Sequence, residues 1–268
     1  MIKKIKKKLR YYLEIITLLI IRNKEFHHHN LLKKQNFNEI FKNHEALKSY
    51  NDDEIILNEI RFPELTGGIN NGDQKAIFFL IKYFKPKRIL EIGTHIGAST
   101  FFIASAMKSN NLEDAVISTV DIKDTNDDLE KPWLKYKSKN SPLQNVKSIG
   151  MEKKVNFFVS DSISFLKKQE QKYDFIFLDG SHKAKDVYNE INLSLKLLNK
   201  NGTILLHDYF SDGKKKWNDK DPITGPYLAV KKIIKINPKI KVYPFYSFPW
   251  KTKLDTNFTT LALLTRLD

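Results

Sequence analysis

The sequence predicts an α/β fold on a doubly wound, mostly parallel sheet, and three observations carry that expectation. Short apolar runs that read as buried strands alternate with stretches of helical period. The first run, RILEIG (88–93), turns at a glycine, and acidic residues close run after run at the same end. Parallel neighbours need crossover connections, so this alternation implies helices on both faces of one sheet.

The elements follow in order. Asp73 reads as the cap of a helix with Ile77, Leu80, Ile81 and Phe84 on one face, stopped by Pro86. After RILEIG comes a helix from Gly97 to Met107, then strands AVISTVD (115–121) and KVNFFVSD (154–161). A helix near 162–170, the strand DFIFLDG (174–180) and a helix with Val187, Ile191, Leu195 and Leu198 on one face lead to a fifth strand, TILLHDY (203–209). A Gly-, Pro- and Lys-rich stretch precedes a helix near 227–236. KVYPFYSF (241–248) and TTLALLTR (259–266) read as a closing strand pair. No internal repeat or low-complexity block interrupts the pattern.

The chain of 268 residues fits one such domain with an appendage, divided here into a basic helical extension (1–50) and the α/β body (51–268). Zero cysteines exclude disulfides, thiolate metal sites and every cysteine nucleophile, and suit a cytoplasmic protein. The net charge of +15 is concentrated at two flanks. Residues 1–50 hold 12 Lys/Arg against 4 Asp/Glu, residues 210–253 hold 11 against 3, and residues 51–209 balance at 22 each. A neutral body with basic flanks suits an anionic surface, whether lipid, acidic glycan or RNA. The start, MIKKIKKKLRYYLEIITLLIIRNKEF, has an uninterrupted apolar run of only Ile15 to Ile21, far short of the about 20 residues a bilayer span needs. It reads as a helix packed on the body or a second subunit, or as a peripheral helix on an anionic membrane. His27, His28 and His29 read as solvated.

In a doubly wound sheet the ligand site lies beyond the carboxyl ends of the strands. Here the first turn is Glu91-Ile92-Gly93-Thr94-His95-Ile96-Gly97-Ala98-Ser99, two glycines feeding a helix N-terminus whose N–H groups face an anionic group. His95 stands where a dinucleotide fingerprint has its middle glycine, so a cofactor without a pyrophosphate is expected. Asp121 ends the second strand, where a carboxylate can take both ribose hydroxyls, and Asp161 with Ser162 ends the third, within reach of an adenine.

Over roughly residues 70–268 the chain resembles class I S-adenosylmethionine-dependent methyltransferases, and its EIGTHIGAS turn is similar to that of catechol and macrocin-type O-methyltransferases. The resemblance implies a seven-stranded Rossmann-like sheet and S-adenosylmethionine as cofactor. It places Glu91, Gly93 and Ser99 on the amino acid portion, Asp121 on the ribose, and Asp161 with Ser162 on the adenine; Thr94, His95 and Gly97 are also expected to border the cofactor, as is Asp179, whose alternative to holding a metal is the methionine amine.

IFLDGSH and LLHDYF carry the chemistry. Asp179 and Asp208 end neighbouring strands, about 5 Å apart in a sheet. Both carboxylates can reach one divalent cation, Mg or Mn, which would take an acceptor hydroxyl and lower its pKa. Macrocin-type enzymes look like this, and the likeness assigns His182 as base. His207 departs from their acidic pair and stands here as a third ligand candidate with Asp179 and Asp208. Trp217 in the lysine-rich loop is expected to stack on a sugar or aromatic ring, or to lie in a solvated loop. The implied reaction is methyl transfer to a hydroxyl of a sugar, other glycan or secondary metabolite, with nucleic acid disfavoured and a homo-oligomer allowed. Three readings stay open: a metal-free transferase acting on another small molecule or RNA, a short-chain dehydrogenase using Tyr227 and Lys231, and a non-catalytic cofactor-binding module.

Overall fold

The computed structural model describes residues 2–42, 62–63, 68–218 and 221–267, the side chains of residues 2–4 excepted. Helix α1 (Ile2–Ile20) and a short 3-10 turn (Asn38–Lys42) precede the body. The body runs α2 (Asn71–Phe84), β1 (Arg88–Ile92), α3 (Ala98–Ser109), β2 (Val116–Asp121), α4 (Pro142–Ser148), β3 (Val155–Val159) and α5 (Ser162–Lys168). It continues with β4 (Tyr173–Leu178), α6 (Ala184–Leu197), β5 (Leu198–Leu206), α7 (Gly225–Ile236), β6 (Ile240–Pro244) and β7 (Ala262–Arg266). The seven strands form one sheet in the order β3-β2-β1-β4-β5-β7-β6. The first five are parallel, and β7 is antiparallel to both β5 and β6.

Period-2 alternation divides the apolar residues between two cores. Ile89, Ile117, Phe175, Phe177, Leu205 and Leu263 face α2 and α3. Leu90, Ile92, Ile176, Leu178, Ile204 and Leu264 face α6 and α7. Strand order reverses between β1 and β4, so the ends of these two strands open the crevice where such sheets bind ligands.

Several elements differ from the sequence reading. The cap of α2 is Asn70, whose side chain accepts from the Asp73 N–H at 3.0 Å; Asp73 sits in the first turn instead, wholly buried. Helix α4 was not anticipated, although Ser141-Pro142-Leu143-Gln144 is a full capping box with proline at the first helical position. The fifth strand stops at Leu206, before His207, Asp208 and Tyr209, which the sequence reading places within it.

The extension is stitched into the body. Leu31 bridges Gly202, Lys33 bridges Arg266, and Phe37, Ile40 and Phe41 are buried in the core against Phe79 and Phe245. The domain boundary drawn at residue 50 lies outside the described residues. Helix α1 rests on α6 and α7 through buried Leu18, and Glu14 Oε2 accepts the Ala184 N–H at 2.7 Å. That bond caps α6 with a carboxylate from another helix. Among the described residues no helix is long and apolar enough to cross a membrane.

Candidate active site

The acids expected to face the cofactor line the carboxyl edge of the sheet. Glu91, on β1, is fully buried; Thr100 and Thr119 donate to its Oε2 at 2.5 and 2.6 Å, while Oε1 has no hydrogen-bond partner. Burial raises the Glu91 pKa to about 7, against the lowering effect of neighbouring hydroxyls. A buried carboxylate oxygen without a donor fits a site made for a cationic amine. At the end of β2, Asp121 Oδ2 accepts the His95 N–H at 2.9 Å and Oδ1 accepts the Lys123 N–H at 3.1 Å. Each carboxylate oxygen can accept a second bond, so lone pairs remain for a ribose. His95 takes φ 49°, its ring lies 4.2 Å from that of Tyr136, and burial lowers its pKa, which keeps the imidazole neutral.

Protein packing alone accounts for both glycines. A Cβ on Gly93, at φ +101°, would lie 2.4 Å from the Asp179 carbonyl oxygen, and one on Gly97, at φ +76°, would lie 2.6 Å from Pro142 Cβ. Thr94 and Thr119 hydroxyls meet at 2.6 Å, and Ser99 is buried in the first turn of α3.

Asp161 is the exposed N-cap of α5, accepting from the Ser164 N–H at 2.9 Å, and hydrogen bonds from Ser164 lower its pKa. Ser162 donates at 2.6 Å to Glu190, a buried acid on α6 that sequence inspection missed, because a lone glutamate at helical spacing reads as surface. Burial raises its pKa to about 7 as well. Both glutamates are easier to protonate in the folded chain than in the unfolded one. The stability this confers is complete below the ordinary glutamate pKa and is lost as pH rises through about 7. Glu190→Gln, which still accepts from Ser162, should therefore gain stability over the wild type between pH 5 and pH 8, read as a urea midpoint difference that grows with pH. A difference independent of pH would assign Glu190 no buried charge.

At the ends of β4 and β5, Asp179, His182 and Asp208 converge, with one ligand atom of each within 4.8 Å of the others. The register Leu178↔Leu206 places His207, not Asp208, directly across from Asp179. His207 Nδ1 accordingly bonds Asp179 Oδ1 at 2.9 Å, and Nε2 faces Asp73 Oδ2 at 3.5 Å. His207 is thus a buried partner of Asp179 and Asp73 and stands outside the grouping of Asp179, His182 and Asp208. Burial alone would lower its pKa, but the charges of Asp179 and Asp208, with hydrogen bonds to Asp179 and Asp73, hold it well above the ordinary imidazole value. Asp208 takes φ 52°, which turns its carboxylate back so that Oδ2 meets His182 Nε2 at 3.0 Å. That hydrogen bond raises the His182 pKa against the opposing effect of burial. Two carboxylates and an imidazole suit a divalent cation with positions left open.

His182 and Asp208 open onto a cavity of about 320 Å³, walled also by Ile69, Phe210, Trp217 and Thr252. Trp217 does not lie in a solvated loop but in the cavity wall. Its ring is buried, Nε1 donates to Thr256 Oγ1 at 2.9 Å, and the Lys253 ammonium lies 5.3 Å from the ring centre. Tyr227 and Lys231 lie on α7 with the ammonium 5.8 Å from the ring centre, a cation–π pair on one helix face.

Comparison with known proteins makes the chain similar to methyltransferases, O-methyltransferases among them. Residues 90–209 match the family described as a methyltransferase domain. The chain is 27% identical over 185 residues to tapetum-specific methyltransferase 1 of Arabidopsis thaliana, covering 65% of this chain and 72% of that protein. It is 30% identical over 142 residues to a caffeoyl-CoA O-methyltransferase of Stellaria longipes, half of each chain. Apart from the Arabidopsis protein, the chain spans about half the length of the curated relatives it matches. The SAH-bound methyltransferase PaMTH1 of Podospora anserina shares the fold, with a TM-score of 0.52 at 21% identity, over 89% of this chain and 100% of that one.

Proposed function

We propose that the chain transfers the methyl group of S-adenosylmethionine to a hydroxyl of a small-molecule acceptor, a sugar or secondary metabolite, with help from a divalent cation. The observation that carries this reading is the convergence of Asp179, His182 and Asp208, the last two of which line a cavity of about 320 Å³. Glu91 would neutralise the cofactor's amine, Asp121 would hold its ribose, and Asp161 with Ser162 would border its adenine. Asp179 and Asp208 would hold the cation, which when bound makes an acceptor hydroxyl more acidic. His182, oriented through Nε2 by Asp208, would receive the hydroxyl proton. The cavity walls would hold acceptor oxygen and methyl group in line, and that alignment is itself a large part of methyl-transfer catalysis.

A second reading makes His182 the third ligand, since its nitrogen lies within 4.8 Å of both carboxylates. Calorimetry with Mn²⁺ and S-adenosylhomocysteine separates the two. His182→Ala retains metal affinity if His182 is a base and loses it if it is a ligand. No heat with Mn²⁺ in the wild type would remove the cation from the proposal.

The cofactor assignment has its own test. Asp121→Ala should weaken S-adenosylhomocysteine binding at least tenfold, since each hydrogen bond to a charged acceptor is worth about 1.5–3 kcal/mol and the His95 turn loses its anchor as well. Asp121→Asn, which keeps one acceptor for His95, should fall between. Equal affinity in all three proteins would take the ribose away from Asp121.

A further inference from the structure

Helix α1 carries seven large apolar residues on the side away from the protein. Ile5, Leu9, Tyr12, Leu13, Ile16, Leu19 and Ile20 are all exposed, Leu19 and Ile20 by 76% and 78%. Their spacing from Ile5 is 4, 7, 8, 11, 14 and 15, which is one continuous stripe of an α-helix. The residues that hold α1 on the body lie on the opposite side: Leu18 and the partly buried Ile15 pack into the core around α6 and α7, and Glu14 caps α6. Lys7 pairs with Asp221 at 2.7 Å, and Lys232 Nζ reaches the Leu18 and Ile21 carbonyls. The outward stripe is therefore displayed by a helix whose orientation is fixed, and its apolar residues contribute nothing to that attachment.

Lys6, Lys8 and Arg10, all exposed, flank the stripe, and the sequence adds Lys3, Lys4 and Arg22. The single acid of the helix, Glu14, is committed to the body. We infer that the outward face of α1 docks on an anionic membrane surface, with the stripe entering the headgroup boundary and the flanking cations meeting lipid phosphates. Charge complementarity selects this occupant. A second copy packed stripe to stripe would set Lys6, Lys8 and Arg10 against further cations with no acid to offset them.

The docked helix lies beside the proposed catalytic centre. Glu14 holds Ala184, two residues beyond His182, and Lys7 holds Asp221, which lines the cavity. Membrane attachment would thus bring the acceptor cavity next to the lipid surface. Attachment itself is independent of methyl transfer.

The test is cosedimentation of the full chain with phosphatidylcholine vesicles, with and without phosphatidylglycerol. The wild type should pellet with the anionic vesicles only and be released as the Debye length shrinks towards about 3 Å in ~1 M salt. Leu9→Asp with Ile16→Asp should cut binding at least tenfold while S-adenosylhomocysteine affinity and melting temperature stay unchanged. Lys6→Glu with Arg10→Glu should do the same, which keeps the test decisive if the first pair folds poorly. Undiminished binding of both double variants, equal pelleting with neutral vesicles, or a dimer in sedimentation that Leu9→Asp with Ile16→Asp dissolves would each overturn the inference. Loss of cofactor binding in every protein, wild type included, would instead count against the methyltransferase reading and leave the vesicle result standing.

Discussion

His182→Ala is expected to lower turnover about 10²–10⁴-fold, the usual worth of a positioned proton acceptor, while leaving S-adenosylhomocysteine affinity within about twofold. Its imidazole is held at 3.0 Å from Asp208 Oδ2 and faces the cavity, so its removal takes away a reacting group without touching the cofactor turn. Asp208→Ala should be as damaging by a different route, because it removes both a proposed ligand and the group that orients His182. Asp179→Ala leaves His207 without its carboxylate partner at 2.9 Å, so metal stimulation should vanish and the melting temperature should also drop. Partial rescue of His182→Ala at high pH would mark a base, since hydroxide then replaces the missing acceptor of the proton. Activity of that variant equal to wild type at neutral pH would end the assignment, and full wild-type activity in excess chelator would end the cation's role.

Gly93→Ala is expected to be the most disruptive change in the cofactor turn. Positive φ costs a non-glycine residue about 1–2 kcal/mol, and a Cβ 2.4 Å from the Asp179 carbonyl forces β1 and β4 apart for about 1–3 kcal/mol more. The sum is a large part of the ~5–15 kcal/mol that keeps a domain folded. At about 2–4 °C per kcal/mol, melting should fall by roughly 4–20 °C, with Asp179 displaced and metal binding weakened. Gly150→Ala is the control: φ is +71° but nothing lies within 4 Å of the new Cβ, so only the backbone cost of about 1–2 kcal/mol applies. Equal melting of the two variants would remove steric contact with Asp179 as the reason for glycine at 93.

The strand pattern, the carboxyl-edge acids and the Asp179, His182, Asp208 grouping were legible because each is local: a period, a turn, a residue closing a run. Asp73, Glu190 and the role of His207 were not. Asp73 meets Thr259 Oγ1 at 2.6 Å and faces His207 across 134 residues of chain, a pairing only the assembled sheet creates. The sequence reading carried the fifth strand on to Tyr209, past its end at Leu206, so the surroundings of His207 were hidden. Register puts it opposite Asp179, and the left-handed backbone of Asp208 turns the next carboxylate back into the site. The cavity walls at Ile69, Trp217 and Thr252 lie outside residues 90–209, the stretch that carries the domain signature. For that reason the turn carries the proposed cofactor class and leaves the acceptor unnamed.

The insertion of β7 between β5 and β6 has a consequence for biosynthesis. β1 can pair with β4 once residue 178 has been made, but among the described residues β6 pairs in the sheet with β7 alone, which follows it in sequence. The N-terminal strap waits for the same residues: Leu32 and Lys34 bond the backbone of Arg266, whose Nε donates to the Leu31 carbonyl at 2.9 Å. A chain still on the ribosome therefore holds residues 31–34 and one sheet edge open until residue 266 is free, and contacts so distant in sequence form late and slowly. Loss of residues 262–266 would strip partners from β5, β6 and residues 31–34 at once.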